Sequence, residues 1–188
     1  MLKIELLDFE STEIDAYNQR QTAIQSELDA LPDRQAALVT AAASEPVAKL
    51  RSESALLAGK PFELQRQAVQ LAEAEGIACH EVLAKLAADS LKAAEVAHKK
   101  ATEQAEKALA KAGVSAESDP TFGVNPEGAR IRLNGTVRSC EAVRAAQLLV
   151  DQAREDQIQV KKNASQWCDD LAHAKSEWRT MVRGLFGV

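Results

Sequence analysis

Residues 121–136 read TFGVNPEGARIRLNGT, and this stretch decides between an all-helical chain and one that carries strands. It separates two segments rich in Ala, Glu, Lys, Gln and Leu, the residues of highest helix propensity. Asn125-Pro126-Glu127-Gly128 has the make-up of a type I turn closed by a glycine at positive φ, the chemistry of a bulged hairpin. Arg130-Ile131-Arg132-Leu133 then alternates polar and apolar with the period of a half-buried strand. The spacing predicts a β-hairpin of about 121–124 with 129–133.

The segment that follows carries the clearest helical signal. Val143, Ala146, Val150, Ala153, Gln157, Val160, Ala164, Trp167, Leu171, Ala174, Trp178, Met181 and Leu185 recur at 3,4 spacing, a heptad seam with Gln157 its one polar member. Lys175, Arg179 and Arg183 suit the negative end of a helix dipole, and Gly184 and Gly187 mark a stop, so a helix is expected over 138–184.

Upstream, Ile77, His80, Ala84, Ala87, Leu91, Ala94, His98, Ala101, Ala105, Ala108 and Ala112 form a second seam, flanked by Cys79, Leu83, Leu86, Ala93 and Ala97. A helix apolar over so wide an arc touches two neighbours. Gly59-Lys60-Pro61 is expected to start it, with Pro61 at the first helical position, and Gly113 to end it, giving a helix over 61–112. In the first third, Ile14, Tyr17, Gln21, Ile24, Leu28, Leu31, Gln35, Leu38 and Ala42 keep their spacing through Pro32. That predicts a helix over 12–58, kinked rather than reversed at Pro32 and disturbed again near Pro46, where the seam resumes out of phase.

Three helices of nearly matched length, each ~70 to 78 Å at 1.5 Å per residue, define one all-α domain over 1–188. Its expected form is an elongated antiparallel three-helix bundle or coiled coil, up-down-up, with a small β-hairpin cap, about 113–136, at one end. Leu2, Ile4 and Leu6 alternate with Lys3 and Glu5 and would reach that same end. Residues 2–7 are therefore expected to add a third strand to a hairpin that is marginal by itself.

Composition narrows the function. Of the 188 residues 46% are hydrophobic but only 4% aromatic, which suits closely packed Ala-lined helices. Lys and Arg total 23 against 28 for Asp and Glu, a net charge of -5, with a pI near 5.3; this disfavours a surface wrapped in nucleic acid. Cys79, Cys140 and Cys168 are an odd, widely spaced set that fits free thiols in the cytoplasm. The first ten residues lack the pattern of a secretory signal, and no apolar run approaches the ~20 residues of a membrane span.

Arg130, Arg132, Arg138 and Arg144 gather at the expected tip of an acidic chain and form the leading candidate for a partner-binding surface. Leu185 and Phe186 are a second candidate, as the apolar end of the last helix. Cys79, His80, Cys168 and His173 could share one height between the second and third helices, but they lack CxxC or HxxxH spacing and no metal site is assigned to them. No phosphate loop, nucleophile elbow, dinucleotide fingerprint or paired catalytic carboxylates occur, so neither an enzyme nor a cofactor is expected.

The expected function is a structural or adaptor protein that meets another protein, or copies of itself, through its arginine-bearing tip. The order helix, hairpin, helix over 61–184 is similar in topology to a prefoldin subunit, and that resemblance implies a chaperone-like holdase as the alternative. A further alternative is a nucleic-acid accessory protein using the tip arginines, although no aromatic ladder accompanies them.

Overall fold

The computed structural model describes residues 2–42, 46–113 and 126–186, excepting the side chains of 126–132 and 185–186. Among them every regular element is helical: α1 (Thr12–Asp29), α2 (Leu31–Ala41), α3 (Val47–Leu71), α4 (Ile77–Lys111), α5 (Pro126–Ser139) and α6 (Glu141–Phe186). A π-helical turn, Ala72–Gly76, joins α3 to α4.

The expected β-hairpin is overturned. Its second strand, 129–133, lies within α5, and 121–124 fall outside the described residues. Pro126 opens α5, where a missing N–H costs nothing because the first N–H groups of a helix have no intrahelical acceptor. Asn-Pro therefore suits a helix start as well as a turn, and four residues of alternation are too few to separate the two. Without the hairpin, the similarity to a prefoldin subunit loses its basis.

The chain divides into two compact units, Met1–Leu83 with Lys161–Val188, and Ala84–Val160. In the first unit Ser11 precedes α1 as its cap, its hydroxyl oxygen accepting from the N–H of Ile14. Pro32 does not reverse the chain. Only Ala30 separates α1 from α2, it is itself in the right-handed helical region, and the Arg34 N–H still reaches its carbonyl at 3.2 Å.

The reversal comes between Ala41 and Val47, since α1 runs antiparallel to α3. Arg20 pairs with Glu75, Gln21 Nε2 donates to the Ala68 carbonyl at 3.0 Å, and Glu27 lies 3.9 Å from Lys60. The expected division at 58–61 is accordingly absent, and Gly59 and Pro61 sit inside α3. An interior proline costs about 3 kcal/mol. Burial of Leu64 and Val69, with Phe62 half-buried beside them, offsets it at roughly 1.5–3 kcal/mol for each fully buried side chain.

That shift in the reversal relocates the N-terminus. Reversing before Val47 rather than near residue 60 brings the start of α1 level with the π-helical turn, far short of the position expected for a cap. Residues 2–7 form no strand there. Leu2 and Ile4 are buried, and the Asn18 side chain holds Ile4 at both ends: its Oδ1 accepts from Ile4 N and its Nδ2 donates to Ile4 O, each at 2.8 Å. The Leu2 carbonyl accepts from Tyr17 Oη at 2.6 Å and from Trp167 Nε1 at 3.2 Å. Side chains thus supply the hydrogen bonds that strand pairing was expected to supply.

The π-helical turn places Gly76 beneath the Trp167 ring, and one turn on His80 meets the same ring with centroids 4.8 Å apart. Lys175 reaches Glu73 at 2.6 Å, so the C-terminal part of α6 runs antiparallel to this stretch. In the second unit, Ala87, Val137, Val143, Ala146, Val150, Ala153 and Val160 are buried, and Arg154 pairs with Glu95 at 3.5 Å across α4 and α6.

Candidate functional site

The α5–α6 joint is one residue long. Cys140 N donates to the Val137 carbonyl at 3.1 Å, and Arg144 N donates to the Cys140 carbonyl at 3.0 Å, so helical hydrogen bonding resumes at once on the far side. Ser139 Oγ and Cys140 Sγ both take up the Thr136 carbonyl, at 2.8 and 3.4 Å, which satisfies the end of α5. The joint sets Arg138, in the last turn of α5, close to Arg144, at the start of α6.

Both arginines line one cleft of about 730 Å³ in the second unit. Val137 and Val143, each 3% exposed, form its apolar floor, and Leu148, 69% exposed, stands at its edge. The facing wall is a stripe of α4, His98, Thr102 and Glu106, spaced one helical turn apart, with Asn134 and Gln147 completing the lining. Thr102 Oγ1 donates to the His98 carbonyl at 2.9 Å and Gln147 Nε2 to Asp151 at 2.8 Å, which fixes both side chains. Among the described residues neither Arg138 nor Arg144 has an ion-pair partner.

An arginine stays protonated throughout the physiological range and offers a rigid fork of five N–H donors. Two such forks over an apolar floor suit a carboxylate-bearing ligand that also has an apolar group to bury. Glu106 on the opposite wall can accept from an amide or hydroxyl of the same ligand.

The other sequence candidates are scattered. Arg130 and Arg132 belong to α5, and Leu185 and Phe186 to the end of α6, but the side chains of all four lie outside the described residues. Cys79 and His80 are buried, Cys168 is exposed, and His173 is an exposed residue 3.2 Å from Glu177. No group of three or more His, Cys, Asp or Glu side chains able to hold a metal ion occurs among the described residues. Nor does any helix there have the length and apolarity to cross a membrane.

The sequence marks His98 as a member of the second seam and gives Thr102, Glu106, Asn134 and Gln147 no role. The one-turn spacing of His98, Thr102 and Glu106 was the available signal. It carries meaning only once α5 is known to be a helix lying opposite. Comparison of the chain with models of known families, with characterised proteins and with solved structures gives no match.

Proposed function

We propose that the protein is a non-enzymatic interaction module, structural or adaptor in role, that docks an acidic segment of a partner protein in the cleft beside the α5–α6 joint. The observation that carries this reading is the pairing of Arg138 and Arg144 over the apolar floor of Val137 and Val143. Two arginines without carboxylate partners among the described residues supply charge complementarity, and the floor supplies a pocket for one aliphatic side chain. Protein is favoured over nucleic acid because Glu106 faces the arginines, no Phe, Tyr or Trp lines the cleft among the described residues, and the chain carries a net charge of -5. The three free thiols support placing the protein in the cytoplasm.

Selection from a displayed library of random peptides tests this directly. The expected winners carry two acidic residues flanking a Leu, Ile or Val, bind more weakly as salt rises, and are lost with Arg138→Glu and Arg144→Glu. Failure to enrich any peptide over the doubly substituted protein would exclude the cleft as a docking site.

A further inference from the structure

The α2–α3 hairpin carries a second groove, of about 490 Å³, between Arg34, Leu38 and Ala41 on one wall and Glu53, Leu56 and Leu57 on the other. Along α1 and α3 the corresponding groove has α6 over it: Ala174, Glu177 and Met181 lie beside Ile24, Leu28 and Val69. None of the described residues of α6 lines the α2–α3 groove. Leu56 there is 75% exposed, and Val39 and Val47, on either side of the reversal, are 77% and 64% exposed. Among the described residues, no third apolar surface covers these two helices at this point.

We infer that a second copy of the chain closes this groove, two α2–α3 hairpins packing about a two-fold axis into a four-helix bundle. A two-fold interface has to be complementary to itself, and the groove meets that condition. Arg34 stands on one wall and Glu53 on the other, and neither has an ion-pair partner among the described residues. The two-fold sets each copy's Arg34 against the other's Glu53. A partner of a single charge sign would satisfy one wall and be opposed by the other. The inference is independent of the arginine cleft, and Arg138→Glu leaves this association intact.

Sedimentation equilibrium on the full chain tests it. The expected result is a concentration-dependent dimer whose dissociation constant rises about tenfold or more in Leu56→Glu, with helicity by circular dichroism unchanged because that side chain is exposed in the monomer. Arg34→Glu and Glu53→Arg should each weaken the dimer by placing like charges together. An equimolar mixture of those two variants should associate more tightly than either alone, since every cross-pair then joins opposite signs. A chain that stays monomeric to about millimolar concentration, a dimer indifferent to Leu56→Glu, or a mixture no tighter than its components would overturn the inference.

Discussion

The Trp167 indole lies directly on Gly76. A Cβ at residue 76 would overlap Trp167 Cζ2 and Cη2 and come within 3.2 Å of Tyr17 Oη. Gly76 closes the π-helical turn, so the widened turn and the missing side chain together admit the largest ring of the first unit's core.

Gly76→Ala is therefore expected to destabilise the protein by about 1–3 kcal/mol, although alanine is the better helix former. Urea denaturation measures the loss. Combining the change with Trp167→Phe should cost less than the sum of the two single changes, because the smaller ring withdraws the atoms that clash.

Asn18→Ala should cost about 2 kcal/mol, since it strips both the N–H and the carbonyl of Ile4 of their partner. Loss of the N-terminal anchor should also quicken backbone amide exchange at Ile4 relative to α6. An unchanged exchange rate would mean that burial of Leu2 and Ile4 alone holds the segment.

Tyr17 is the chain's one tyrosine, and burial pushes its phenol up to about 12 from 10.0. A group raised in the fold contributes stability that is complete below its unfolded value and is lost as pH rises through the folded one. Ultraviolet titration should show no tyrosinate near pH 10 in the native protein and a normal midpoint in urea. A native midpoint near 10 would place Tyr17 in water.

His80 shifts the other way. Both ring nitrogens are buried without a hydrogen-bond partner among the described residues, and burial pushes its pKa below the usual 6.5. The unfolded chain then binds the proton more readily, so this stabilisation is complete above about pH 6.5 and is lost as pH falls toward the depressed folded value. Denaturation midpoints should drop between about pH 7 and 5 in the wild type and drop less in His80→Phe, which keeps a ring against Trp167. Equal slopes would assign the acid sensitivity to other groups.

Pro61→Ala should raise stability by about 1–3 kcal/mol, because α3 passes through this residue and regains a hydrogen bond there. If residues 58–61 were instead a break between helices, the substitution would leave the melting temperature nearly unchanged.

Much of the core was legible in the chain's spacing. Every described member of the α6 seam from Val143 to Met181 is buried or half-buried, as are Ile14, Tyr17, Gln21, Ile24, Leu28, Leu31 and Leu38 in α1 and α2, whereas Gln35 and Ala42 of that first seam are exposed. The seam of α4 holds from Ala87 to Ala105 but fails at Ile77, 54% exposed, at Ala84, and again at Ala108 and Ala112, which are exposed. At the start of α4 the buried face passes to the flanking row, Cys79 and Leu83, a change that a 3,4 count along one seam does not reveal. Of the cleft, Arg138 and Arg144 were legible as a charge cluster, and the wall opposite them was not.

That the chain is helical, and which faces of its longest helices turn inward, follows from the period of its apolar residues, a local property that any partner surface must match. Where the chain reverses, that Pro126-Glu127-Gly128 opens a helix, and that Leu2 lies against Trp167 depend instead on contacts between segments distant in the chain. Gly59-Lys60-Pro61 and Asn125-Pro126 each fit two local conformations that differ by about 1–3 kcal/mol. Burying Leu64, Tyr17 and Val137 against partners distant in the chain outweighs a difference of that size.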